Sequence, residues 1–111
     1  MQAEALVFKV LADATRLRLA VLLAVKGETC VCVLAEALKA QPFKISRHLS
    51  VMRSAGLVEV RREGTGMYYR LAKSRNRLEE CLYECFRDCL AEHGTARMDL
   101  KRLVGAACKP K

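Results

Sequence analysis

The sequence predicts a single, mainly α-helical domain with one small β-hairpin, spanning residues 1–111. Three observations lead to this fold class. Apolar residues recur at helical spacing through most of the chain, one glycine-containing turn separates two β-prone runs, and the composition, 52% hydrophobic and 29% charged, is that of a globular protein. A chain of 111 residues is long enough for one hydrophobic core and too short for two.

The first two helices are predicted on either side of Asp13. Apolar residues between positions 6 and 11 follow a helical period, and a second set runs through positions 17–23. Asp13 is a favourable N-cap for the second helix, because its carboxylate can accept a hydrogen bond from an unpaired backbone N–H. Gly27 closes this helix directly after Lys26, whose charge suits a helix C-terminus.

A helix, a tight turn and another helix follow. Residues 29–38 form an amphipathic stretch that predicts a short third helix. Pro42 then begins a fourth helix over about residues 42–55, because its missing N–H does no harm in a first turn, and Gly56 ends it. These two helices form a helix–turn–helix.

The remainder predicts a hairpin and a long helix. Two β-prone runs flank the turn Glu63-Gly64-Thr65-Gly66, which indicates a β-hairpin, or wing, over about residues 57–71. Helical spacing returns over about residues 74–93, and a final short helix is expected over residues 96–107. The long helix carries a stripe of apolar residues whose surface area is larger than a small monomer should expose to water. This stripe consists of Leu78, Leu82, Phe86 and Leu90. This order of elements is that of a winged helix–turn–helix.

The charge points to a polyanionic partner. Twenty Lys and Arg residues against twelve Asp and Glu residues give a net charge of +8, which attracts nucleic acid or an acidic membrane surface. Cations cluster on the fourth helix and the hairpin, where they can neutralise phosphates, while Ser, Arg and His can reach base edges in the major groove. The alternative is an ordinary solvated charged face. The predicted DNA-contacting residues are Gln41, Lys44, Ser46, Arg47, His48, Arg53, Arg61 and Arg62.

The cysteines indicate metal or thiol chemistry. No apolar run approaches the roughly 20 residues of a transmembrane helix, and the N-terminus lacks the layout of a signal peptide, so we expect a cytoplasmic protein without a membrane partner. In that reducing compartment the six cysteines are expected to bind metals or to react as thiols.

Cys30 and Cys32 are the leading candidate ligands. They stand at the start of the third helix, where unpaired N–H groups and the helix dipole favour thiolates, which bind soft metals and trivalent arsenic or antimony. Residues two apart on a regular helix point to nearly opposite sides, so we expect the first helical turn to unwind when both sulfurs bind one ion. That distortion would weaken DNA binding by the adjacent fourth helix. The alternative is that Cys30 and Cys32 bind no ion and serve only as small buried hydrophobic residues.

Five motifs keep a common order over residues 6–73. They are Leu11-Ala12-Asp13-Ala14-Thr15-Arg16-Leu17-Arg18, Gly27-Glu28-Thr29-Cys30-Val31-Cys32, Ile45-Ser46-Arg47-His48-Leu49, Arg53-Ser54-Ala55-Gly56-Leu57-Val58 and Tyr69-Arg70-Leu71. Together they resemble the arsenic-responsive ArsR-type repressors of the ArsR/SmtB family. The resemblance implies a homodimer on double-stranded operator DNA, with the first helix and the helix over residues 74–93 at its interface. It also implies As(III) or Sb(III) as the inducer, bound by thiolates, and no organic cofactor.

The chain departs from that family in its ligands and in its recognition helix. A third cysteine often follows three residues after Cys32 in the family, but Ala35 stands there in this chain. A third sulfur is therefore sought elsewhere, or an exogenous thiol completes the site. The candidates are Cys81, Cys85, Cys89 and Cys108, of which we assign Cys108. The run Gln41-Pro42-Phe43-Lys44 also replaces the family's Ser-Gln-Pro-Lys, which leaves the operator sequence open.

Three other functions stay open. A cadmium-, lead- or zinc-responsive repressor would use the same thiolates. A redox switch would oxidise them instead, and a constitutive DNA-binding protein would use them only as structural residues. An enzyme is not expected, because the sequence shows no paired carboxylates, no phosphate-binding glycine loop and no nucleophile with a positioned base.

Overall fold

The computed structural model describes residues 1–106, so the predicted ligand Cys108 lies outside the described residues. The described chain has a mainly helical architecture with one small antiparallel sheet. Its elements are α1 (Gln2–Leu11), α2 (Ala14–Lys26), β1 (Thr29–Cys30), α3 (Val31–Leu38), α4 (Pro42–Ser54), β2 (Val58–Glu63), β3 (Gly66–Leu71), α5 (Arg77–Asp88), a short 3-10 helix (Leu90–Glu92) and α6 (Gly94–Gly105). This order confirms the predicted fold class.

The ends of α2 and α4 follow the predicted capping. Asp13 Oδ1 accepts a hydrogen bond from the Arg16 backbone N–H at 3.1 Å, which satisfies one of the unpaired donors at the start of α2. Gly27 follows α2 with a φ of 87°, a conformation that few residues with a Cβ adopt. Pro42 occupies the first turn of α4, and Gly56 lies just beyond it with a φ of 79°.

The sheet contains one strand more than the predicted hairpin. β2 and β3 pair in antiparallel register, and β1 adds to the other edge of β3, so that Thr29 faces Tyr69 and Cys30 faces Tyr68. The prediction that the third helix begins at residue 29 was therefore wrong. Pairing with β3 holds this short segment extended, and α3 starts only after Cys30.

The core lies between α2 and the helix–turn–helix. Side chains from α2, α3 and α4 are fully buried where these helices meet. They are Leu19, Leu22, Leu34, Ile45, Leu49 and Met52. Since the buried residues of α4 all face inward, the opposite side of that helix is left to solvent.

The helix expected over residues 74–93 is shorter in the structure, where α5 ends at Asp88. The chain then turns through the 3-10 helix so that α6 folds back onto α2 and α3. A buried ion pair fixes this return: Arg18 of α2 contacts Asp99 of α6 at 2.8 Å, with Asp99 fully buried. Tertiary packing thus outweighs the continuous helical spacing in the sequence.

The apolar stripe of α5 faces the chain's own core. Phe86 is only 2% exposed, and the three leucines of the stripe, Leu78, Leu82 and Leu90, are half-buried. The stripe thus packs in part against the chain's own core, and apolar side chains that are more exposed lie on other elements, among them Leu6 and Phe8 of α1 and Met98 and Val104 of α6. None of the helices within residues 1–106 combines the length and the apolar composition that crossing a lipid bilayer requires.

Candidate nucleic-acid interface and sulfur pair

The outer side of α4 presents most of the predicted DNA-contacting residues. Gln41, the residue before the helix, is exposed, as are Lys44, Arg47 and Arg53. Ser46 and His48 are half-buried. Donors and cations therefore share one accessible face, which is what a helix needs in order to contact both phosphates and base edges.

Arg16, which the sequence alone did not mark as a DNA-contacting residue, joins this face from α2. Its Nη1 lies 3.3 Å from His48 Nδ1, and its Nε donates to the Val10 carbonyl at 2.7 Å. Arg16, Lys44, Arg47 and His48 line one cleft together with Val51, and we call these four basic residues the cationic cleft. Its only signal in the sequence is that Arg16 falls in the first of the five shared motifs.

Asp13 is the acidic residue next to this cluster. Burial alone would raise its pKa, but the hydrogen bond from the Arg16 N–H and the nearby charge of Arg16 bring the pKa below its usual value. Asp13 is therefore a carboxylate at neutral pH, committed to capping α2.

The wing arginines differ in their surroundings. Arg61 contacts Glu28 at 2.8 Å, also pairs with Glu63, and lies 5.0 Å from the centroid of the Tyr68 ring. Its hydrogen bond lowers the pKa of Glu28. Arg62 is also exposed on β2, but no acidic side chain within residues 1–106 forms an ion pair with it. Arg61 therefore has to leave two carboxylates before it can bind a phosphate.

The sulfur pair, Cys30 and Cys32, is already assembled. The two Sγ atoms lie 3.2 Å apart, with Cys30 buried and Cys32 half-buried. The expectation that α3 must unwind to bring these sulfurs together was wrong. Cys30 is the extended residue before the helix, with φ −70° and ψ 144°, so helical spacing does not separate it from Cys32.

The sulfur pair adjoins the wing. β1 continues directly into α3, and its partner β3 is the second strand of the hairpin. Cys30 faces Tyr68 across this pairing, and Glu28, two residues before Cys30, holds Arg61. A displacement of Cys30 would therefore move atoms that contact β3 as well as the start of α3.

The other cysteines within the described chain lie on or directly after α5. Cys81 and Cys89 are exposed and Cys85 is half-buried. Burial, followed by the influence of Cys89, raises the pKa of Cys85, so this thiol resists deprotonation. Across residues 1–106, no three His, Cys, Asp or Glu side chains lie close enough together to hold one metal ion. The fold therefore does not bring Cys81, Cys85 or Cys89 to the sulfur pair as a third ligand.

Comparison with curated proteins identifies regulators of metal and arsenic resistance. The arsenic resistance transcriptional regulator ArsR1 of Pseudomonas putida is 53% identical over 66 residues, covering 60% of this chain and 52% of that protein. The arsenical resistance operon repressor of Escherichia coli is 49% identical over 65 residues, 59% of this chain and 56% of the repressor. A cadmium resistance regulatory protein, a CadC homolog of Staphylococcus aureus, is 39% identical over 65 residues, 59% of this chain and 54% of the homolog. The chain thus spans little more than half the length of each.

Solved structures extend the likeness over most of the chain. A homodimeric winged helix–turn–helix DNA-binding domain from Mycobacterium bovis, described as a possible ArsR-family regulator, superposes with a TM-score of 0.65 at 37% identity, covering 84% of this chain and 86% of the domain. Residues 13–60 also match the profile of the bacterial regulatory protein arsR family. These proteins are transcriptional regulators, not enzymes. The chain therefore belongs to the ArsR family of bacterial regulatory proteins and has its winged helix–turn–helix fold.

Proposed function

We propose that this protein is a transcriptional repressor that binds double-stranded operator DNA and releases it when As(III) or Sb(III) binds the sulfur pair. The observation that carries this function is the position of Cys30 and Cys32, whose sulfurs lie 3.2 Å apart between the helix–turn–helix and the wing. One ligand held there would be bonded to α3 through Cys32 and, through Cys30, to β1, which pairs with the wing strand β3.

The DNA-binding half rests on charge and accessibility. The net charge of +8 supplies the attraction to the phosphate backbone. The exposed Lys44, Arg47 and Arg53 of α4 are suited to phosphates and guanine edges, and Gln41, Ser46 and His48 add polar contacts. In the wing, Arg62 is open to the adjacent backbone, and Arg61 joins it by exchanging its carboxylates for phosphate.

A homodimer supports this mode of binding. Four apolar side chains are each more than 40% exposed: Leu6 and Phe8 of α1, and Met98 and Val104 of α6. Exposing this apolar surface to water is unfavourable, and a partner subunit would bury it. Two copies related by a twofold axis would present two α4 helices to a pseudo-palindromic site. We therefore place the dimer interface on α1 and α6, where the sequence had indicated α1 and the helix over residues 74–93.

The separation of the sulfurs fits a pyramidal ion. Bonds of about 2.3 Å, the length of a zinc–thiolate bond, span the 3.2 Å separation at an angle of about 90°. Trivalent arsenic and antimony keep a lone pair that compresses their bond angles towards this value, whereas tetrahedral zinc or cadmium prefers about 110° and so sulfurs farther apart. This separation supports As(III) or Sb(III) as the proposed ligand. A third thiolate is assigned to Cys108.

Release follows from the shared backbone of β1 and α3. A ligand that draws both sulfurs into its own geometry shifts Cys30 relative to Tyr68 and to the first turn of α3. If the ligand binds this shifted state better, it must weaken DNA binding by the same free energy. Unwinding of the helix is not required.

A cadmium-responsive repressor is the second candidate, favoured by the likeness to the CadC homolog. It would use the same sulfur pair with a wider angle at the metal. The two candidates differ in the ion that releases DNA, so one titration separates them.

The test is fluorescence anisotropy of a labelled duplex that the protein has selected from a random pool. Phosphine-reduced protein is titrated with arsenite, antimonite, cadmium, lead and zinc, and a separate sample with peroxide. We expect arsenite and antimonite to release DNA from the wild type and from Cys81→Ser, but not from Cys30→Ser or Cys32→Ser. Cys108→Ser should weaken the response. Release by peroxide alone, or equal responses from all variants, would contradict the proposal.

A further inference from the structure

The cationic cleft brings one residue from outside the helix–turn–helix, Arg16 of α2, to the basic side chains of α4. We propose that Arg16 of α2 binds a phosphate of the DNA backbone in this cleft. We also propose that it positions His48 of α4, whose imidazole contacts a base or a phosphate. This inference rests on the proposed DNA binding and adds a residue to it.

Arg16 is held ready for such a contact. Its Nε–H is bonded to the Val10 carbonyl at 2.7 Å and its Nη1 contacts His48 at 3.3 Å, so the half-buried side chain is fixed in one orientation. These contacts use two of the five N–H groups of the guanidinium and leave a fork of donors for a ligand. A fixed guanidinium loses little conformational entropy when it binds a phosphate through two parallel hydrogen bonds.

The lining of the cleft specifies an anion. Lys44 and Arg47 project from successive turns of α4 beside Arg16, and no acidic side chain within the described residues lines the cleft with them. The nearby carboxylate, Asp13, accepts the backbone N–H of Arg16 and caps α2. An elongated polyanion that lies along α4 would therefore meet Arg16 at one side of the recognition face.

The contact with Arg16 also fixes the tautomer of His48. Arginine has no acceptor, so in this contact His48 Nδ1 accepts and the ring proton of a neutral His48 lies on Nε2. Nε2 is then a donor for a phosphate or for a base-edge acceptor such as guanine N7. Arg16 thus acts as a contact residue through its free donors and as a positioning residue through His48.

The salt dependence of DNA binding tests the proposal. The dissociation constant of the selected duplex is measured from low to moderate salt for the wild type, for Arg16→Gln and for Arg87→Gln, a matched loss of one exposed arginine on α5. We expect Arg16→Gln to bind about tenfold more weakly and to lose about two from the log–log slope, one phosphate per protomer of a dimer. Arg87→Gln should keep the wild-type slope.

An unchanged slope in Arg16→Gln would overturn the proposal even if affinity falls, because that pattern assigns Arg16 to positioning alone. If Arg16→Gln does not fold by circular dichroism, Arg16→Lys replaces it. Lysine keeps the charge but not the fork, so it should keep the slope and bind more weakly, and wild-type affinity would count against the proposal. The salt titration contains no metalloid, so its outcome does not depend on whether arsenite or antimonite releases DNA. If the wild type itself shows no salt-dependent binding, the proposed DNA-binding function is contradicted.

Discussion

Cys30 lies directly opposite Tyr68 in the antiparallel pairing of β1 with β3, and Arg61 lies over the Tyr68 ring, 5.0 Å from its centroid. A buried cysteine of the sulfur pair and an arginine of the wing are thus separated by a single tyrosine. Glu28 strengthens the link, since it precedes β1 and binds the same guanidinium. The wing is therefore linked to the sulfur pair through both backbone and side-chain contacts.

Glu28→Gln should tighten DNA binding about threefold to tenfold, because it removes a carboxylate that competes with phosphate for Arg61. Anisotropy with the selected duplex measures the change. The matched control is Glu80→Gln, which removes a carboxylate from the exposed Arg77 pair on α5 and should leave affinity unaltered. Weaker binding by Glu28→Gln would show that the ion pair holds Arg61 in place for DNA.

Gly56→Ala should destabilise the fold by about 2 kcal/mol. The residue has a φ of 79°, and a Cβ there would lie 2.4 Å from Arg75 Nη1, so both the backbone and the arginine would have to move. Urea unfolding measures the loss. Gly94→Ala is the control, because a Cβ at that position meets no atom within 4 Å. Equal stability of the two variants would refute the packing of Arg75 against Gly56.

Glu79→Gln should lower stability at pH 7 by about 2 kcal/mol, less than for a fully buried pair because Arg75 is half exposed. Glu79 is 1% exposed, and the hydrogen bond from Arg75 is the main reason that its pKa lies below the usual value. Because the folded pKa is the lower one, this stabilisation is present above the unfolded pKa, near about 4.3, and is lost as the pH falls through the folded pKa.

Urea unfolding of wild type and Glu79→Gln from pH 7 to pH 3 checks that sign. The difference between the two proteins should shrink in acid, while Glu84→Gln, a change at an exposed position of α5, should differ little from wild type throughout. A difference that is constant with pH would mean that Glu79 acts by packing and not as a carboxylate.

Asp99→Asn should destabilise the domain by about 3 kcal/mol, because it leaves Arg18 and Arg102 without their shared buried carboxylate. Arg102 also donates to the Ala37 carbonyl at 2.7 Å, so we expect faster amide exchange in α6 and at the end of α3. Asp88→Asn, at an exposed position, is the control. Unchanged exchange in α6 would contradict the role of this ion pair.

The elements that the sequence predicted well are those with local causes. Asp13 caps α2, Pro42 begins α4, and the glycines at 27 and 56 end these helices through positive φ angles. β1 was missed because its extended conformation depends on Tyr68 and Tyr69, which lie far along the chain. The end of α5 was missed because α6 is held back by Arg18 and Asp99, 81 residues apart.

In the candidate sites, too, the features with local causes were predicted and those that depend on distant contacts were not. The spacing of Cys30 and Cys32 predicted a shared ligand, but only the strand before α3 explains why their sulfurs already meet. The basic residues of α4 were visible in the sequence as a charged face. Arg16 was not, because its place beside His48 depends on a contact between residues 32 positions apart.

The central claim is that the sulfur pair and the DNA face share one coupling free energy, and reciprocal titration tests it most directly. Arsenite affinity is measured by calorimetry on free protein and on protein saturated with the selected duplex, and duplex affinity is measured with and without saturating arsenite. We predict that each partner weakens the other by the same factor, about tenfold to a hundredfold, and that Cys30→Ser/Cys32→Ser abolishes both effects. Equal arsenite affinity for free and DNA-bound protein would contradict the account.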